Sequence, residues 1–270
     1  MYYPKISVIT PSYNQGLYIE ETIRSVINQN YPNLEYIIID GGSTDNSVDI
    51  IKKYMDKINY WCSEPDKGQS NAINKGLMKA KGDILAYINS DDVYSDGTFF
   101  KVAKFFQENP DVGIVYGDIQ LIDQFSKILK NRYEIEFDLL MAHLIGFGII
   151  IPQPATFWRR EVTEKIGFFD ESNHFTMDQD YWYRASKYFK IKHIPEILAQ
   201  FRIHQKSKTN VNFSQKDTLY SQQHFKDMLK FYSDLPISRI IPFKYSYLIR
   251  YPYRLKRIVK KFIQGKYLVK

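Results

Sequence analysis

The chain predicts an α/β fold, a mainly parallel sheet flanked by helices, on three observations. Strand-like runs alternate with helix-like periodicities from the amino terminus, the pattern that builds parallel sheets. The polar signals cluster where the strand-like runs end. One cysteine in 270 residues excludes an internal disulfide, so the 44% apolar content must form the core unaided.

Each element follows in order. "KISVIT" and "LEYIIID" read as strands, and between them Ile19, Ile23, Val26 and Ile27 recur at helical spacing. In "GGSTDNSVDIIKKYM" Ser43 or Thr44 can cap a helix. "INYWCS" is a third strand, Gln69 to Lys79 a helix, and "DILAYI" a fourth strand. After Gly97 come a helix from Phe99 to Gln107 and the strand "VGIVYG", beyond which the alternation loosens into an α+β region. "LIGFGIII" is too short to span a bilayer and reads as a buried strand or loop. With no repeats and no low-complexity linker, residues 1–234 read as one domain. Its two halves cover about 1–120 and about 121–234, and a basic, aromatic tail fills 235–270.

Charge is unevenly placed. The net charge is +7, yet Leu235 to Lys270 holds ten Lys or Arg and no Asp or Glu. The other 27 basic residues therefore face all 30 acidic ones, a net of −3 before the tail. From Tyr253 onward Leu255, Ile258, Val259, Phe262 and Ile263 share one helical face while Arg254, Arg257, Lys260 and Lys261 share the other. With Phe243, Tyr245, Tyr247, Tyr251 and Tyr253 ahead of them, they suit an anionic membrane surface; the alternative is a helix packed on the domain with its charges in water. The start of the chain carries no basic-then-apolar leader, which points to a cytoplasmic location, peripheral at the inner face of the cell membrane.

"TPSYN", "DGGSTD", "SEPDKGQSNAINKG" and "NSDD" follow the first four strands, so a doubly wound sheet brings them to one crevice. Two adjacent carboxylates, Asp91 and Asp92, repel unless a cation relieves them; oxygen ligands favour Mg²⁺ or Mn²⁺ bridging to phosphates. The alternative is a helix cap or a solvated turn. Asp40 can accept from a base or ribose donor, or serve the turn before Gly41 and Gly42, which themselves allow either a tight turn or close backbone approach to a ligand.

In this order "ISVITPSYNQGLYIEETIRSVINQNYPNLEYIIIDGGSTDNS", "EPDKGQSNAINKG", "NSDD", "QPATFWRREV", "GFFDE", "MDQDYWYR" and "FRIH" resemble family 2 glycosyltransferases, from about Lys5 to Lys208. The resemblance implies a GT-A fold, Rossmann-like with a mixed, mainly parallel sheet, and an inverting transfer from a nucleotide-diphosphate sugar, a UDP-sugar first. The acceptor would be a saccharide or a lipid-linked intermediate of surface polysaccharide synthesis. By the same likeness Thr10, Pro11, Tyr13 and Asp40 surround the base, Asp66 and Lys67 lie close, Asn71 stands where many relatives have an aspartate, and Asp91 with Asp92 forms the ribose and metal site. The family's acidic motif begins with an aspartate, here Asn89. Asp178 aligns with the catalytic base, and His204 with a group over the diphosphate or on the metal, unless it is structural. Asp180 suits a first-turn helix role better than Asp178 does. Gln153, Pro154 and Thr156 are expected on the acceptor side, with Trp158 stacking on a sugar or packing in the core. A nucleotidyltransferase is the first rival, though "TPSYNQG" makes a poor triphosphate loop; a membrane or nucleic-acid binding module is the second. Strand-end carboxylates repel phosphate chains, so no nucleic-acid partner is expected.

Overall fold

The alternation folds as strand β1 (Ile6–Ser12), helix α1 (Ile19–Ile27), β2 (Leu34–Asp40), α2 (Ser47–Lys53), β3 (Tyr60–Ser63), α3 (Gln69–Lys79), β4 (Ile84–Tyr87), β5 (Val93–Tyr94) and α4 (Thr98–Glu108). The second half contributes β6 (Val112–Ile122), β7 (Ile128–Arg132), α5 (Leu139–Ile145), α6 (Phe147–Ile150), β8 (Thr156–Arg159), α7 (Arg160–Ile166), α8 (Met177–Ser186) and β9 (Lys190–Arg202), then α9 (Thr218–Ser233) and α10 (Tyr247–Ile263). This is a computed structural model that describes residues 2–205, 207 and 218–263.

β1 pairs in parallel with β2 and β4, and β2 with β3. Their side chains alternate between two apolar layers. Val8 and Ile38 join Ile23 and Val26 of α1 and Phe99 of α4, whereas Ile9, Ile37 and Ile39 join Ile73 and Leu77 of α3. Both faces are covered, which is why these strands read as unbroken apolar runs. Each such side chain contributes about 1.5–3 kcal/mol on burial.

The sheet order is β3-β2-β1-β4-β8-β6-β9-β5, with β7 on β6. β8 runs antiparallel between β4 and β6, so one continuous sheet serves both halves. The boundary expected near residue 120 falls inside β6. "LIGFGIII" is neither strand nor loop but the end of α5 followed by α6, with Asp138 capping α5 through Met141 N. The cap expected at Ser43 or Thr44 is absent: α2 starts at Ser47, whose amide and hydroxyl both donate to Asp45, and Ser43 serves Asp40 instead.

Candidate active site

The carboxyl ends of the first strands open on a crevice of about 630 Å³. Pro11, Tyr13, Asp66 and Asp91 line it, as the sequence leads one to expect, with Ser12, Gln15, Pro65, Gly68, Gln69, Ala72, Asn89, Ser90, Phe201 and Ser207. Gly41 and Gly42 also line it, and the tight-turn reading of that pair holds at Gly42. Gly42 has φ +81°, a turn conformation side chains avoid, and a Cβ on Gly41 would stand 2.6 Å from the Asp66 carboxylate.

Four of the expected nucleotide contacts are placed elsewhere. Thr10 is buried, its hydroxyl paired with the Tyr36 hydroxyl at 3.1 Å. Asp40 is wholly buried and accepts from Ser43 N, Ser43 Oγ, Ser63 Oγ and Gly42 N, so its carboxylate holds the turn rather than offering an open acceptor. Lys67 is exposed outside the crevice lining. Asn71 turns its amide to Glu171 Oε2 at 3.0 Å.

The adjacent aspartates are split between two environments. Asp92 points inward, accepting from the backbone amide of Arg202 at 2.9 Å, and is 1% exposed. Burial, then the charge of Asp91, pushes its pKa well up. Asp91 faces the crevice and meets His204 Nε2 at 3.0 Å, while the ring of Tyr18 lies 4.6 Å from that of His204. Arg202 braces both residues. Its guanidinium donates to the Asp91 carbonyl and to Glu21 and lies over Tyr18. Of the pair expected at the ribose and metal site, Asp91 alone lines the crevice and Asp92 is turned inward.

Asn89 joins a chain of amides. Gln69 Nε2 donates to its Oδ1 at 2.6 Å, its Nδ2 reaches Gln153 Oε1 and Asp92 Oδ2, and Gln153 Nε2 donates to the Tyr87 carbonyl. Gln153 is thus near the crevice but committed to this chain. Thr156 and Trp158 do not face an acceptor. Thr156 is buried and bonds the Pro152 carbonyl; Trp158 is 0% exposed, donating to Thr163 and packed among Tyr87, Phe169, Tyr181 and Trp182. Core packing absorbs the indole completely.

Asp178 stands at the second position of α8, half-buried, with its Oδ1 accepting from Gln179 N. It lies beside the crevice rather than in its lining. The preceding Met177 touches Ser70 of α3, next to Gln69 in the lining. The Asp178 charge also reaches Tyr87, whose hydroxyl pKa is raised, by burial first. Asp180 has the structural role: Arg184 Nε and Lys230 Nζ each hold it at 2.7 Å. Residues no motif revealed set the pose of α8. Asn173 Oδ1 accepts from Thr176 N, and the Thr176 hydroxyl bonds Asp227 of α9. Burial raises the Asp227 pKa. The only signal for these residues is tertiary.

Asp91 and His204 can hold a divalent cation, and a carboxylate with an imidazole suits Mn²⁺. Among the described residues no group of three or more His, Cys, Asp or Glu could hold a metal. An ion held by these two side chains would complete its shell with phosphate oxygens and water.

A mixed, mainly parallel sheet with helices on both faces and a crevice at its strand ends defines the doubly wound α/β class. Within it, the chain belongs to the family described as Glycosyl transferase family 2, whose profile matches residues 7–167, and it is a glycosyltransferase. An uncharacterized glycosyltransferase of Rickettsia typhi is 33% identical over 79% of this chain and 69% of its own length. TuaG of Bacillus subtilis, whose provisional name is teichuronic acid biosynthesis glycosyltransferase, is 40% identical over 39% of this chain and 43% of its own. Among solved structures, S. aureus TarS 1–349 superposes with a TM-score of 0.65 at 21% identity, covering 98% of this chain and 93% of that one. The mannosyltransferase PcManGT of Pyrobaculum calidifontis, in complex with GDP-Man and Mn²⁺, gives 0.58 at 16%, covering 98% and 86%. These likenesses establish a GT-A type fold.

Proposed function

We propose that the protein is an inverting glycosyltransferase that moves a sugar from a UDP-sugar to a hydroxyl of a saccharide or lipid-linked acceptor in surface polysaccharide synthesis, at the cytoplasmic face of the cell membrane. The observation that carries the reading is Asp91, backed by His204, on the wall of a crevice that Pro11, Tyr13 and Asp66 also line, in a chain of this family. The provisional name of TuaG supports the polysaccharide, and TarS 1–349 in complex with UDP-GlcNAc supports the donor class.

In this reading the crevice wall from Pro11 to Gln15 and the Gly41–Gly42 turn hold the nucleotide, while α8 presents Asp178 to the acceptor. A sugar hydroxyl is a poor nucleophile. Asp178 takes its proton as the oxygen attacks the anomeric carbon from the face opposite the diphosphate. The bond from that carbon to the leaving oxygen breaks, and its electron pair departs on the β-phosphate. Asp91 and His204 would hold a divalent cation, which would supply charge neutralisation for that group. Asp92 and Arg202 keep Asp91 in place during the turnover.

The test is incubation of the protein with UDP-sugars and Mn²⁺, followed by analysis of product and by NMR of the new anomeric centre. Release of UDP with inverted configuration is expected. Retained configuration, or release of pyrophosphate instead, would defeat the reading.

A further inference from the structure

Helix α10 is docked the opposite way round from a helix on a water-facing domain. Such a helix normally buries its apolar stripe and leaves its charges in water. Here the charged side holds the protein. Arg257 Nη2 lies 2.7 Å and Lys261 Nζ 3.3 Å from Glu134 Oε2, a carboxylate that is 0% exposed and also gripped by Arg132. Lys256 reaches Asp138 at the start of α5. The sequence grouping of Arg257 and Lys261 with the solvent-facing cations is thereby corrected; the side chains of Lys260 and Ile263 lie outside the described residues.

The apolar side is left outward. Leu248, Tyr251, Leu255, Ile258, Val259 and Phe262 follow helical spacing and are all exposed, Phe262 by 57%. Exposed Arg239, Lys244 and Arg254 accompany them. No helix among the described residues is long and apolar enough to cross a membrane. A second copy of the chain would set these unopposed cations against their own kind, since a two-fold interface meets itself. An anionic lipid surface complements both the charge and the apolar stripe.

We infer that α10 seats the enzyme on an anionic bilayer, apolar side inward to the lipid, with its basic side fastened to the catalytic domain through Glu134. The helix lies along the headgroup layer, and the domain rides above it in fixed orientation. Lipid binding in this scheme requires no turnover, so it stands or falls separately from the reaction proposed above.

The experiment is cosedimentation of the full chain with vesicles, either phosphatidylglycerol mixed with phosphatidylcholine or phosphatidylcholine alone, at low and high salt. Strong binding to the anionic vesicles at low salt is expected, at least about tenfold weaker on the neutral ones, with release by salt. The triple variant Leu255→Glu, Ile258→Glu, Phe262→Glu should bind roughly tenfold or more weakly while keeping its circular dichroism and UDP-sugar hydrolysis. Reversing Arg239, Lys244 and Arg254 to Glu should weaken anionic binding without disturbing any apolar contact. Full chain remaining in the supernatant with anionic vesicles at low salt would overturn the inference. So would a dimer in vesicle-free buffer that the apolar triple variant converts to monomer, because the stripe would then be a subunit interface.

Discussion

At Asn89 the side-chain amide gives hydrogen bonds to Gln153 and Asp92 and receives one from Gln69. An aspartate there would set acceptor against acceptor beside a buried carboxyl whose pKa is already raised. Asn89→Asp should therefore lower stability by roughly 1–3 kcal/mol near neutral pH, with the loss shrinking in acid as the new pair takes up protons. Urea unfolding at pH 7.5 and pH 5 measures this; an unchanged midpoint at pH 7.5 would show that the amide donates nothing there. In the proposed reaction Asp178 is the opposite kind of residue, the base that acts on the acceptor. Asp178→Asn should reduce transfer by about 10²–10⁴-fold with UDP affinity nearly unchanged, because the base acts on the acceptor. Single-turnover kinetics beside calorimetry separates the two effects, and a variant keeping a tenth of wild-type turnover would place the base elsewhere.

Among the elements, α10 stores a titration. Lys261 has its pKa lowered to about 8, by burial first, against the pull of Glu134. The unfolded lysine holds its proton up to about 10.5, so folding releases a proton between those values and stability rises with pH across that window. Below pH 8 the full cost of the buried charge is present, on the order of 2–3 kcal/mol. Lys261→Met, with Arg132 and Arg257 still on Glu134, should be more stable than wild type at pH 7, and the difference should vanish toward pH 10. Denaturant midpoints of both proteins over that range decide it; a pH-independent difference would refute the assignment. Which side of α10 faces the protein was beyond periodicity, since a stripe tells only that a helix has two faces. Periodicity did locate α1 and α3, because their apolar residues pack on a sheet, and Gln69–Lys79 is the helix observed. It missed α5 and α6, where an unbroken apolar run carries no period. Asp66 and Asp91 were legible because strand ends collect ligand contacts. The inward turn of Asp92 was not, because its partner, the amide of Arg202, lies 110 residues away.

For the whole molecule, the crevice is a seam between distant parts of the chain. Its wall takes Pro11, Ser12, Tyr13, Gln15 and Asn89 to Asp91 from the amino-terminal half, Phe201 from the end of β9 and Ser207 from just beyond it. A nucleoside diphosphate bound there touches segments that one continuous sheet already unites, so binding should stabilise the cooperative unit rather than one lobe. Charge decides how. The first 234 residues carry a net charge of −3, and Asp66 and Asp91 line the crevice, so in the proposed reading a diphosphate would meet repulsion there until a cation joined Asp91 and His204. At about a hundred times its Kd, UDP with Mn²⁺ adds ~2.7 kcal/mol, which for a chain of this size raises Tm by roughly 5–10 °C. EDTA should abolish most of that rise. Asp91→Ala should abolish it with Mn²⁺ present, while Asp92→Asn, acting through the amide of Arg202, should lower the Tm of the free protein. Thermal melts of the three proteins, with and without UDP and Mn²⁺, measure each outcome, and an equal UDP shift in EDTA would remove the cation from the site.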